Sequence, residues 1–135
     1  MIAVVIGNHY KLFRLKDGWQ EPGRDHNWAE TDGFELLARV LVTQGFTGTA
    51  TVYCDSIIAL SAFKGEKCGV QTINECGTRL QAVRGMLPFT IEAIHVRGKD
   101  NIADGFSRGR TIEGFQEIGG MVAVPEALEC FVHAG

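Results

Sequence analysis

Three acidic residues stand where distant parts of the chain could bring side chains together: Glu35, Asp55 and Asp104. Glu35 lies in a stretch of helical periodicity, Asp55 directly follows a β-branched and aromatic run, and Asp104 sits in a short segment, residues 101–107, that suits a helix. In open α/β sheets chemistry gathers beyond the carboxyl ends of the strands. A carboxylate cluster there can hold two divalent ions about 3.5–4 Å apart around a phosphoryl centre. Oxygen ligands suit Mg²⁺ or Mn²⁺. Taken singly, each residue also has a plainer use, because an Asp after a strand or a Glu on a helix most often caps the element or faces water.

The elements that would position these residues follow from hydrophobic spacing and turn chemistry. Residues 2–6 and 10–15 form two β-prone runs around Gly7-Asn8-His9, the pattern of a short hairpin. Residues 16–27 collect Gly18, Pro22, Gly23, Asp25 and Asn27 and read as a loop. A helix is expected over 29–44, with Phe34, Leu37, Ala38 and Leu41 on one face, Thr31 as its cap and Gly45 as its stop. A strand over 49–54, a helix over 56–63, a helix from Val70 to Leu87 despite Gly77 and Gly85, and a strand over 90–96 complete the ordered part. The tail from Gly109 to Gly135 is Gly-rich, with weak strand patterns at 121–124 and 130–132. Strands followed by alternating strands and helices predict an α/β layer with a mixed sheet.

At 135 residues, 45% of them hydrophobic, the chain suits a single domain, 1–135, with an atypical extension at 109–135. No apolar stretch approaches the roughly 20 residues of a membrane span, and no secretory leader pattern opens the sequence. The expectation is an intracellular protein, cytoplasmic or nuclear, neither secreted nor bound to membrane. Cys54, Cys68, Cys76 and Cys130 make no CxxC or CxxH pair and read as reduced thiols. A net charge of −3 argues against binding nucleic acid by bulk charge, so any such contact must be local. Arg97, Lys99, Arg108 and Arg110, with Lys64 and Lys67 as spatial candidates, concentrate positive charge around Asp104 and suit either a phosphate-binding rim or a solvated face. Trp19 and Trp28 suit core packing more than base stacking, and His95, inside a predicted strand, suits a structural role. There is no GxGxxG and no P-loop.

Three motifs occur together in one order. IHVRGKDNIADGFSRG carries His95, Gly98, Asn101, Ala103-Asp104 and Ser107-Arg108; FELLARVLVTQGF begins at Phe34; and TVYCDSIIAL begins at Thr51. This set resembles the ribonuclease H domains of reverse transcriptases of the long-terminal-repeat, tyrosine-recombinase and hepadnavirus-like types. IAVVIGNHY, from Ile2, is similar to the second strand of the hepadnaviral type. The resemblance implies a ribonuclease H-like mixed five-stranded sheet flanked by helices. It also implies a hydrolase activity, endonucleolytic cleavage of the RNA strand of an RNA–DNA hybrid with two Mg²⁺ or Mn²⁺ ions. The partners implied are the hybrid and other parts of a reverse transcriptase. Glu35, Asp55 and Asp104 match three of that family's four carboxylates, with Glu30 and Asp32 as alternatives to Glu35, which stands correctly before Leu36-Leu37-Ala38.

The family's first strand, with its Asp, has no counterpart before Asp17. Another polypeptide could supply it, residues 2–6 could be a degenerate form of it, or the segment from Leu128 to Gly135 could replace it by permutation to the carboxyl terminus. In the permuted case His133 or Glu129 becomes the fourth ligand, and His suits hard Mg²⁺ less well than a carboxylate does. The plainer reading makes the tail a surface strand and short helix. The alternative function is a catalytically impaired ribonuclease H-like module that binds nucleic acid or a protein partner.

Overall fold

The computed structural model describes residues 1–135, the side chain of Lys99 excepted. It opens on an antiparallel hairpin of β1 (Ile2–Ile6) and β2 (His9–Phe13), with Ile6 opposite His9. Gly7 turns the chain at φ +59°, the positive angle that a tight hairpin demands of its first loop residue. β2 ends at Phe13, short of residue 15, because Leu15 instead forms a single bridge with Val132 of the tail.

Helix α1 (His26–Thr43) begins three residues before the expected 29. Its cap is Asp25, whose carboxylate accepts from the Trp28 backbone N–H at 3.2 Å. Thr31, the expected cap, lies inside the helix and donates its hydroxyl to the Asn27 carbonyl at 2.7 Å. The earlier start draws Trp28 into the core, stacked on Trp19 at 5.9 Å and edge-on to Phe131 at 5.6 Å. Both tryptophans therefore serve packing, the outcome expected of aromatics beside a helix start.

Strand β3 (Gly48–Cys54) leads through α2 (Ile57–Phe63) and α3 (Gln71–Arg84) to β4 (Phe89–His95), which pairs with β3 in parallel register from Gly48↔Phe89 to Cys54↔His95. The helix expected to reach Leu87 stops at Arg84, where Gly85 caps it. A single 3-10 turn (Gly98–Asp100) precedes α4 (Ile102–Ser107), whose cap is the Asn101 side chain. β5 (Gln116–Glu117) then pairs parallel to β2. Leu36, Val40 and Leu41 of α1 and Ile73 and Leu80 of α3 are buried in the core, and Phe34 stacks on Phe63 of α2 at 4.6 Å.

The architecture is mixed α/β, with strands in two sheets instead of one: β1-β2-β5 and β3-β4. The tail corrects two expectations. Residues 121–124 form no strand; Val122 and Val124 are buried as core side chains, and Val122 exchanges backbone hydrogen bonds with Gly135 at 2.6 and 3.1 Å. Residues 130–132 contribute only the bridge to Leu15. The tail is thus no permuted central strand, because its backbone bonds run to the chain leaving β2, with His133 N–H donating to Arg14 at 2.8 Å and Lys16 N–H to Phe131 at 2.7 Å. Lys11 fastens the preceding segment, donating its buried ammonium to the carbonyls of Ile118 at 3.1 Å and Gly120 at 2.6 Å.

Gly77, tolerated in α3 against its helix propensity, lets α3 press on α2: a methyl built there would stand 3.1 Å from the Ala62 carbonyl oxygen. Gly77→Val is expected to lower stability by about 1–3 kcal/mol through overpacking. The same change at exposed Thr78 lacks that clash, so comparison of the two unfolding midpoints checks the contact.

Candidate functional site

The site is built around the residue that leaves β3. Asp55 follows the last paired residue of that strand, and the next residue, Ser56, caps α2 by accepting from Ala59 N–H at 3.0 Å. The same hydroxyl donates to Asn27 Oδ1 of α1 at 2.8 Å, so one side chain locks the strand-to-helix turn onto the first turn of another helix. Asp55 is held between them with its side chain 9% exposed, and its Oδ1 is buried without a hydrogen-bond partner. A carboxylate oxygen buried without a donor loses its hydration and gains nothing in exchange.

Two side chains of α1 converge on this oxygen. His26 and Glu30 are one turn apart; His26 Nε2 lies 3.5 Å from Asp55 Oδ1 and 3.8 Å from Glu30 Oε1. The Cys54 thiol donates to Glu30 Oε2 at 3.9 Å, and burial pushes that thiol up to about 12, so it stays protonated at neutral pH. Glu30 itself is raised to about 7, first by burial, then by repulsion from Asp55; His26 pulls it down, while Asp104 of α4 pushes it up. Asp104 is paired on its outer side with Arg108, Nε to Oδ2 at 3.2 Å. The loop before α4 passes close to Asp55 at Gly98, where a methyl would make an ordinary contact, 3.5 Å from Oδ2.

His26, Glu30 and Asp55 each offer a ligand atom within 4.8 Å of the others. Two carboxylates and an imidazole, one oxygen being buried and unpaired, form a donor set that fits a divalent cation. Binding would relieve both the bare Asp55 oxygen and the repulsion that raises Glu30.

Glu35 is not part of this cluster. It faces α3, where Arg79 donates from Nε at 3.2 and 3.1 Å and from Nη2 at 2.8 Å to its two oxygens. Asp32, fully buried beside it, accepts from the Cys76 thiol at 2.8 Å, and burial holds Asp32 well above the carboxylate range. These residues also cluster closely enough for a metal, but a guanidinium already supplies the positive charge there. The cause is angular: five residues of helix turn the chain about 140° beyond a full circle, so Glu30 and Glu35 look toward different neighbours. The signal for Glu30 is its spacing to Phe34 and Leu37, the apolar face directed at the strands, whereas Glu35 has Asp32 one turn away. Nothing in the sequence spacing ties His26 to Asp55.

The remaining expected residues lie on the surface. Arg97 pairs with Asp100 at 3.1 Å, Arg110 is exposed, and the Lys99 side chain lies outside the described residues. Glu129 and His133 are exposed on the tail beside the chain leaving β2, and neither joins the His26–Glu30–Asp55 cluster. His95 ends β4, paired with Cys54.

Comparison with protein-family models, with curated proteins and with solved structures finds no match to this chain.

The raised Glu30 sets a pH dependence. A carboxyl that titrates near 7 in the folded protein and near 4.5 unfolded adds stability fully present below about 4.5 and lost as pH rises through about 7. The loss attributable to Glu30 is on the order of 3 kcal/mol. Asp32 acts in the same sense. Glu30→Gln is therefore expected to flatten, without abolishing, the fall of the urea midpoint between those pH values, and an unchanged slope would contradict the burial and repulsion assigned to Glu30.

Proposed function

We propose that this chain is a ribonuclease H-like domain that cleaves the RNA strand of RNA–DNA hybrids, the ribonuclease H part of a reverse transcriptase. One observation carries the reading: the buried, unpaired oxygen of Asp55, at the end of a strand, meets Glu30, whose carboxyl in turn feels the charge of Asp104. Three carboxylates brought together from a helix, a strand end and a late short helix suit phosphodiester hydrolysis with divalent ions. The motifs around Asp55 and Asp104 support the same family, and Glu30 takes the place expected of Glu35.

Asp55, Glu30 and Asp104, with His26 at the open side, are the residues that would hold Mg²⁺ or Mn²⁺. Two such ions would supply Lewis-acid chemistry, a more acidic attacking water and neutralised charge at the leaving 3′ oxygen. Asp55, almost covered after β3, and Glu30, half-buried on α1, would hold an ion from the protein side. His26, with its side chain 64% exposed, lies at the rim, where an imidazole can take up or release a proton. Arg108, paired with Asp104, and the exposed Arg97 and Arg110 would supply a phosphate-binding rim, with Lys99 its sequence neighbour, local positive charge within a chain of net charge −3.

A second reading has its own support. Three carboxylates fall one short of the family's set, and a domain with an incomplete set would bind the hybrid, or a protein partner, without cutting it.

Cleavage of a labelled RNA–DNA hybrid in Mn²⁺ and in Mg²⁺ separates the two readings. The expected result is cleavage that falls at least a hundredfold in Asp55→Asn and Glu30→Gln, the scale of losing a group that stabilises the transition state by about 3 kcal/mol. Glu35→Gln, compared per folded molecule, should keep it. Hybrid binding with no cleavage in either metal favours the impaired module. Loss in Glu35→Gln with Glu30→Gln active would return the ligand role to Glu35.

A further inference from the structure

Between the two sheets runs a groove whose walls are strand edges. β1 pairs only with β2, and β3 pairs only with β4, so each keeps one unpaired edge, and the groove of about 530 Å³ is lined by both strands. Its floor is Phe34 and Leu37 of α1, and Glu30 marks its acidic end. An unpaired edge presents every second N–H and C=O without a backbone partner, and two such edges facing one groove are the complement of a single extended chain.

We propose that this groove receives an extended segment of a partner polypeptide, about six residues long, which pairs with β1 and β3 and joins the two sheets. The length follows from the stretch of β3 that lines the groove, residues 49–54, at roughly 3.3 Å per residue. The apolar floor requires apolar side chains on alternate residues of the segment, the face turned toward α1. A helix or a nucleic acid would leave both edges unsatisfied. The chain's own tail is not the occupant, since its backbone is bonded to the chain after β2 and, through Val122 and Gly135, to itself.

Insertion also makes a mechanical demand. β1 and β3 approach within 8 Å, Cα to Cα, whereas a strand between them needs about 9.5 Å, twice the usual strand spacing. The two sheets must part as the segment enters. The site at the acidic end would then be bordered by the new strand, but the inference rests on strand edges and not on the proposed chemistry.

The test is amide hydrogen exchange of the full chain with and without the peptide Lys-Val-Thr-Val-Thr-Val-Lys, and with the same peptide N-methylated at alternate residues. The expected result is slower exchange, by roughly tenfold, at alternate amides of both β1 and β3, with no effect of the methylated peptide. Asp55→Asn should respond in the same way, so failure of the catalytic reading leaves this result intact. Protection confined to β2 or β4, or no change on either groove wall at peptide saturation, overturns the proposal. Equal protection from raising the protein concentration alone also overturns it, in favour of a second copy of the chain.

Discussion

Carboxylates held together without enough counter-charge are the constraint on which the site depends. Asp55 is buried with an oxygen that makes no hydrogen bond, His26 Nε2 standing 3.5 Å away, and burial, then the charge of Asp55, raise Glu30 to about 7. A fold tolerates such a cost when surrounding contacts leave no cheaper arrangement. Here those contacts are specific: Ser56 ties the turn after β3 to Asn27, Asp25 fixes where α1 begins, and the buried Trp28 prevents that first turn from unwinding. The geometry of the site is set by helix capping and core packing, and the acidic residues are carried along.

The neighbouring acidic cluster shows how the same problem is solved structurally. Asp32 and Glu35 are at least as buried as Asp55, yet Arg79 lies across Glu35 and the Cys76 thiol donates to Asp32. Charge is met there by the chain itself, as in an internal ion pair joining two helices, although Asp32 Oδ2, like Asp55 Oδ1, is buried without a hydrogen-bond partner. Around Asp55 it is met only in part, since His26 is mostly exposed and Arg108 reaches only Asp104. A guanidinium already paired with Glu35, more than the number of acids, separates the two clusters.

Much of the framework was legible in the sequence. The hairpin followed from Gly7 and its flanking β-branched residues, the strand before Asp55 from its composition, and the short helix with Asp104 from the pattern of residues 101–107. What misled was capping competition: Asp25 and Thr31 are both good caps, and only the burial of Trp28 decides between them. A cap at Thr31 would leave His26 outside the helix and Glu30 in its frayed start, whereas Glu35 is favoured by its place before Leu36-Leu37-Ala38, a pattern that carries no trace of the Arg79 it meets. Sheet assembly was less legible: the expected single sheet is split in two, and whether β1 and β3 pair depends on long-range spacing that no local pattern encodes. The tail failed for a related reason: Val122 and Val124 carry a strand-like composition but are buried by side-chain packing alone.

The most direct test of the account is where a paramagnetic divalent ion first acts on the folded chain. In a titration with substoichiometric Mn²⁺ followed by amide resonances, residues 26–30, 54–56 and 98–104 should broaden first, and Asp55→Asn should remove the effect. Broadening that begins instead around Asp32, Glu35 and Cys76, or that spreads evenly over the surface carboxylates, would contradict the proposal that the His26–Glu30–Asp55 cluster, with Asp104 acting on Glu30, is the metal site.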